Sequence, residues 1–226
     1  MIVWVASFPR SGNTFLRILL NRIYGVRTST IYDFDGVADR VGADLVGAAD
    51  RPASVAALRS SDDTHFVKTH RRRDVSVLDD DRAIWLVRDG RDAVVSWARM
   101  DSESDPARYE AELRAKILNR SGTDTWGANV LSWLEPPSPT RVVLRYEDLI
   151  AAPEAAVRSV VTALVPALGP RPAPEIPTLA TLKETDTAFF RRGQVGSHRD
   201  ELPADLETLF WSVPDNRAAM TLLGYE

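Results

Sequence analysis

Residues 2–24, IVWVASFPRSGNTFLRILLNRIY, constrain the fold more than any other part of the chain. The apolar run 2–6 reads as a buried strand. Phe15, Leu16, Ile18, Leu19, Leu20 and Ile23 then recur at helical spacing up to Gly25. Between the two lies a loop, Ser7 to Thr14. A strand that enters a helix through such a loop turns backbone N–H groups and a helix N-terminus toward one point, which favours phosphate. The nucleoside triphosphatase form of this loop, G-x-x-x-x-G-K-[ST], begins with a glycine and carries a lysine before the Ser/Thr. Here Ser7 stands at the first glycine and Asn13 at the lysine. The positive charge has moved inside the loop, to Arg10.

The rest of the chain alternates strands with helices. Residues 65–68, 83–87 and 142–144 read as strands. Asp89 caps a helix that starts near Gly90 and turns Ala93, Val94 and Trp97 inward. Helices are also expected over 105–119, over 124–135, from Pro153 to about Val165, and at the C-terminus. Residues 26–63 read as short helices and loops, 166–177 as a Pro-rich surface connection, and 189–202 as a polar, basic loop. Apolar strands alternating with helices predict an α/β fold with a central parallel sheet flanked by helices, a three-layer P-loop-like sandwich. Ligands of such sheets bind off the carboxyl ends of the strands. The polar residues gather there: the loop Ser7 to Thr14, Lys68 to His70, Arg88 and Tyr146.

Composition narrows the function. The chain has 226 residues, 44% hydrophobic and 27% charged, the make-up of one globular domain taken as 1–226. A net charge of −4 argues against a broad nucleic-acid-binding face, so an anion site must be local. The absence of cysteine excludes disulfides, thiolate zinc sites and a cysteine nucleophile. The apolar runs are too short to span a membrane, and no signal-like segment precedes the first strand. The expectation is a cytoplasmic enzyme, with its oligomeric state open.

The sequence resembles the PAPS-dependent sulfotransferases, which use 3′-phosphoadenosine 5′-phosphosulfate. SFPRSGNTFLR is similar to their 5′-phosphosulfate loop. WLVRDGRDAVVSW is similar to their 3′-phosphate segment, an arginine at a strand end with a serine eight residues on. KTH matches the segment of their catalytic histidine, RYEDL a nucleotide-side segment, and FRRGQVGSHRDEL their C-terminal RKGxxGxWK loop. The blocks occur in family order. The resemblance implies that Arg10, Ser11, Gly12, Asn13 and Thr14 hold the 5′ end of PAPS, or of the product PAP. It implies that Arg88 and Ser96 hold the 3′-phosphate, with Arg191, Arg192 and Gly193 closing over it. Phe15 and Tyr146 are the candidates to contact adenine. Three departures from the family pattern stand out: Arg10 for its usual loop lysine, Phe15 for tryptophan, and His198-Arg199 for Trp-Lys.

The residue types suit sulfonate transfer to a small-molecule hydroxyl, with an amine as the lesser alternative. His70 is the candidate general base, since imidazole titrates at about 6.5. Lys68 and Arg10 can neutralise charge on the bridging oxygen and the sulfonyl group. No metal is expected. A Mg²⁺–ATP enzyme would carry the loop lysine and an aspartate at the end of an apolar strand. His65 falls at a strand start and reads as structural. Arg71, Arg72 and Arg73 read as a solvated basic face, and Trp85, Trp97, Trp126, Trp133 and Trp211 as core or acceptor-pocket residues. Two other readings stay open: a kinase-like phosphotransferase using ATP, and a non-catalytic nucleotide-binding module.

Overall fold

The computed structural model describes residues 1–33, 36–118 and 124–225. In chain order the elements are β1 (Ile2–Ser7), α1 (Asn13–Tyr24), β2 (Thr28–Thr30), α2 (Gly36–Val41), α3 (Ala43–Val46), α4 (Val55–Arg59), β3 (His65–Thr69), β4 (Arg82–Val87) and α5 (Gly90–Asp101). A 3₁₀ turn at Pro106–Arg108 leads into α6 (Tyr109–Ile117). Then come α7 (Trp126–Leu134), β5 (Arg141–Arg145), α8 (Tyr146–Ala151), α9 (Pro153–Leu164), α10 (Leu179–Thr185), α11 (His198–Glu201), α12 (Ala204–Ser212) and α13 (Pro214–Leu223).

The five strands form one parallel sheet in the order β2-β3-β1-β4-β5. Strand alternation sends Ile2, Trp4 and Ala6 to one face, where they join Trp85, Trp126, Trp133 and Phe210 in a core under α5, α6, α7, α12 and α13. Val3 and Val5 go to the other face, with Ile84, Leu86 and Leu144, under α1, α8 and α9. The result is the expected three-layer α/β arrangement. Trp85, Trp126 and Trp133 are core residues, and Trp85 stacks on Trp133 with centroids 5.5 Å apart. Asp81 is buried beneath β1, accepts from Trp4 Nε1 at 2.9 Å and pairs with Arg59.

Local signals set the element ends. Gly25 closes α1 in the left-handed region, and Asp89 accepts from the Arg91 backbone N–H at 2.9 Å to cap α5. Pro153 opens α9. Three expectations needed adjustment. The segment 26–63 contains β2, a three-residue edge strand too short for periodicity to reveal. The polar loop 189–202 contains the short helix α11. The expected helix 105–119 is split into the 3₁₀ turn and α6, and its last residue lies outside the described residues. Among the described residues no helix is long and apolar enough to cross a membrane.

Candidate active site

Parallel pairing brings Ser7, Thr69, Val87 and Arg145 to one edge of the sheet. A cavity of about 1010 Å³ opens along that edge. Arg10, Gly12, Asn13, Thr14 and Phe15 line it from the loop and α1, and Lys68 and His70 from the end of β3. Arg88, Ser96 and Tyr146 line it from β4, α5 and α8, and Arg191, Arg192 and Gly193 from the C-terminal loop. Ser11 is the predicted residue that the fold keeps out of the wall: it is fully buried and its Oγ lacks a hydrogen-bond partner.

Strand order divides this cavity. Lys68 and His70 stand at β3, on one side of the β1 loop, while Arg88 and Tyr146 stand at β4 and β5 on the other. Strands β3 and β4 are two spacings apart, about 10 Å. A group held at the loop therefore has the histidine on one flank and the arginines on the other.

The loop owes its shape to two left-handed residues, Arg10 (φ 63) and Gly12 (φ 99). Gly12 is also required by close approach, since a Cβ there would stand 2.7 Å from Tyr146 Cδ2. The Asn13 side chain turns inward, and its Nδ2 donates to the Val5 carbonyl at 3.1 Å and to Ser7 Oγ at 3.2 Å. What Asn13 offers the cavity is therefore its backbone N–H, one of the first-turn donors that have no partner within the helix.

Arg10 crosses toward the β4 side. Its Nε donates to Ser96 Oγ at 3.3 Å and its Nη2 to the Phe189 carbonyl at 2.7 Å, with the guanidinium 4.3 Å from the Phe189 ring centroid. Burial, followed by the charges of Arg88 and Arg40, lowers the Arg10 guanidinium from 12.5 to about 10. A buried guanidinium crowded by other cations forms a site that an anion relieves. Arg88 is buried against the Tyr146 ring, 4.3 Å from its centroid. It donates to the carbonyls of Arg10 at 3.2 Å and Gln194 at 2.9 Å, and its Nε is buried with no partner. Arg191 and Arg192 lie further out and pair with Glu201, Arg192 also with Asp200.

On the β3 side the His70 Nδ1 lies 3.0 Å from the Ser7 carbonyl and 3.2 Å from Ser7 Oγ. A carbonyl oxygen only accepts, so Nδ1 carries the hydrogen and the lone pair of the neutral ring falls to Nε2. The His70 backbone N–H donates to Tyr32 Oη, and Asn129 Nδ2 donates to the His70 carbonyl at 2.9 Å. The histidine is thus fixed from three elements. Lys68 Nζ lies 5.7 Å from the Tyr32 ring centroid.

Sequence reasoning missed several cavity residues. Tyr32 lies two residues beyond β2 and could have been found only with that strand in view. Arg40 reaches Asp186 and Glu103 and lies 5.5 Å from the Phe189 ring centroid. Arg71 and Arg72, read as a solvated face, line the cavity too, Arg72 while paired with Asp124. Trp97 is the one tryptophan of the expected five in the cavity wall among the described residues.

The sulfotransferase domain model matches residues 2–164, which include the loop, His70, Arg88 and Tyr146. The chain belongs to the sulfotransferase domain family. The match ends before the C-terminal loop that carries Arg191 to Gly193. WSCD family member GA21586 of Drosophila pseudoobscura pseudoobscura is 29% identical over 168 residues, covering 71% of this chain and 49% of that protein. WSCD family member CG9164 of Drosophila melanogaster is 29% identical over 164 residues, covering 69% and 48%. The chain spans about half the length of these curated relatives. The crystal structure of mouse sulfotransferase SULT7A1 complexed with PAP superposes with a TM-score of 0.64 at 17% identity, covering 100% of this chain and 88% of that one. Retinol dehydratase in complex with androsterone and PAP gives a TM-score of 0.63 at 17% identity, covering 97% and 80%. At this identity the likeness is one of fold.

Proposed function

We propose that this sulfotransferase transfers a sulfonate group from PAPS to a hydroxyl, or as a lesser alternative an amine, of a small molecule. The observation that carries the reading is the division of the cavity: a fixed imidazole on one flank of a phosphate-type loop and crowded guanidinium groups on the other. The residues fit the donor. Gly12 lets the loop backbone pack closely on Tyr146 at the cavity edge, and Arg88, which lines the cavity, has its Nε buried without a partner. The loop N–H groups, Thr14 and Arg10 would hold the 5′ end, and Arg88 and Ser96 the 3′-phosphate. Arg191, Arg192 and Gly193 would close over it. Phe15 and Tyr146 offer rings for adenine. PAP in two structural relatives, and androsterone in one, support a nucleotide donor and a small-molecule acceptor.

PAPS would supply the sulfonate. As the acceptor oxygen bonds to sulfur and the sulfur–oxygen bond to the 5′-phosphate breaks, His70 Nε2 takes the acceptor proton. The bond's electrons leave with PAP. Lys68 meets the charge on the transferring group from the β3 side, and Arg10 from the β4 side. The Ser7 carbonyl then has a second role, since it favours the imidazolium that forms. A cytoplasmic location is part of the same proposal.

Two measurements test this reading. PAP should raise the melting temperature without Mg²⁺, by an amount equivalent to about 2.7 kcal/mol at a hundredfold excess over its Kd. A shift with Mg²⁺–ATP and none with PAP would select the kinase-like reading instead. His70→Ala should keep PAP binding and lose turnover by roughly a hundredfold or more. Turnover near that of the unaltered protein would remove His70 as the base.

A further inference from the structure

Asp92 lies on α5 one turn beyond Arg88, at the second position after Gly90. It is completely buried, yet it takes no part in the chemistry proposed above. Its Oδ1 accepts from the His198 backbone N–H and from His198 Nδ1, both at 2.8 Å. Its Oδ2 accepts from the Gly196 backbone N–H at 2.8 Å and faces Arg88 Nη2 at 3.5 Å. One carboxylate thus gathers a phosphate-side arginine and two turns of the C-terminal loop. Burial opposes its ionisation, but the His198 ring, the Arg88 charge and the two backbone donors outweigh it and hold the acid at about 2. An ionised carboxylate only accepts, so His198 Nδ1 carries the hydrogen.

The same loop closes on Arg88 a second time, where Arg88 Nη2 donates to the Gln194 carbonyl. Between these anchors the backbone bends through Gly193 (φ 60) and Gly196 (φ 80). Ser197, held between Gly196 and His198, joins the cavity wall with its Oγ buried and unpartnered. His198 stands where the family pattern has a tryptophan. In this chain an indole, which has no ring nitrogen at the Nδ1 position, is replaced by a donor for a specific buried carboxylate.

We propose that Asp92 and His198 are positioning residues: the Asp92–His198 contact seats the Gly193–Ser197 loop and the Arg88 guanidinium as one unit, and so sets the affinity for the 3′-phosphorylated end of the nucleotide. The inference rests on the PAPS reading. His198 touches the nucleotide only through the loop it holds. The backbone bonds from Gly196 and His198 survive loss of the ring, so the effect of His198 substitution is loosening of the loop rather than its release.

The test compares two nucleotides that differ only in the 3′-phosphate: PAP and adenosine 5′-phosphate, titrated calorimetrically into the full chain. His198→Ala should weaken PAP roughly tenfold, the scale of one charge-assisted hydrogen bond, and leave adenosine 5′-phosphate within about twofold. His198→Asn, whose amide N–H can stand near Nδ1, should recover most of the loss. An equal loss for both nucleotides would mean general damage to the fold and would overturn the proposal, as would an unchanged PAP affinity. If the unaltered chain binds PAP no tighter than adenosine 5′-phosphate, the PAPS reading fails, and this inference with it. If it discriminates and His198→Ala discriminates equally, only the positioning role is lost.

Discussion

Gly12→Ala is the sharpest test of how the phosphate loop is built. Gly12 has φ 99 and ψ 12, where an alanine methyl crowds the backbone at a cost of about 1–2 kcal/mol. The new Cβ would also stand 2.7 Å from Tyr146 Cδ2, 3.0 Å from Cε2 and 3.6 Å from Leu86 Cδ2. Tyr146 is 5% exposed and its ring packs on Arg88, so it cannot swing aside without moving that guanidinium. Overpacking of this kind costs about 1–3 kcal/mol. Together the destabilisation is about 2–5 kcal/mol, a large share of the 5–15 kcal/mol typical of a domain. Urea unfolding followed by tryptophan fluorescence reads it directly. Tyr146→Ala should relieve the clash but not the backbone strain, so the double variant should be less destabilised than the sum of the singles by about 1–3 kcal/mol. PAP affinity should fall at least tenfold in Gly12→Ala, because both the loop and Arg88 shift. Stability within about 0.5 kcal/mol of the unaltered chain would refute the reasoning, since that is the range of a neutral surface change.

Two further outcomes follow from buried carboxylates. Asp92 titrates at about 2 in the fold against an ordinary 3.8, so its contribution, on the order of 2 kcal/mol, is present above pH 3.8 and lost as the pH falls toward 2. Asp92→Asn should flatten that acid limb in unfolding measured across pH 2–5, and an unchanged slope would assign the acid sensitivity elsewhere. Asp81→Ala should cost about 2–4 kcal/mol in urea unfolding, because it strands Trp4 Nε1 inside the core and removes the Arg59 partner. A loss below about 0.5 kcal/mol would mean that the indole and guanidinium find other partners.

The sequence by itself determined the pattern of strand, loop and helix, and with it the edge of the sheet where polar residues collect. Those signals are local: apolar alternation, a glycine where the loop turns, Asp89 at a helix start, Pro153 at another. They were enough to bring Arg10, Lys68, His70, Arg88 and Tyr146 into one expected crescent, because parallel strands must end on a common edge. Tertiary structure alone decided what each side chain does there. Nothing local says that Asn13 turns away from the cavity toward the Val5 carbonyl, or that Arg10 crosses to Ser96, 86 residues on. The tautomer of His70 depends on the Ser7 carbonyl, which parallel pairing of β1 with β3 brings alongside. Asp92 and His198 are 106 residues apart, and in the sequence His198 is only a departure from a family pattern. Hydrogen-bond partners are chosen by packing between distant elements, and no residue spacing records that choice.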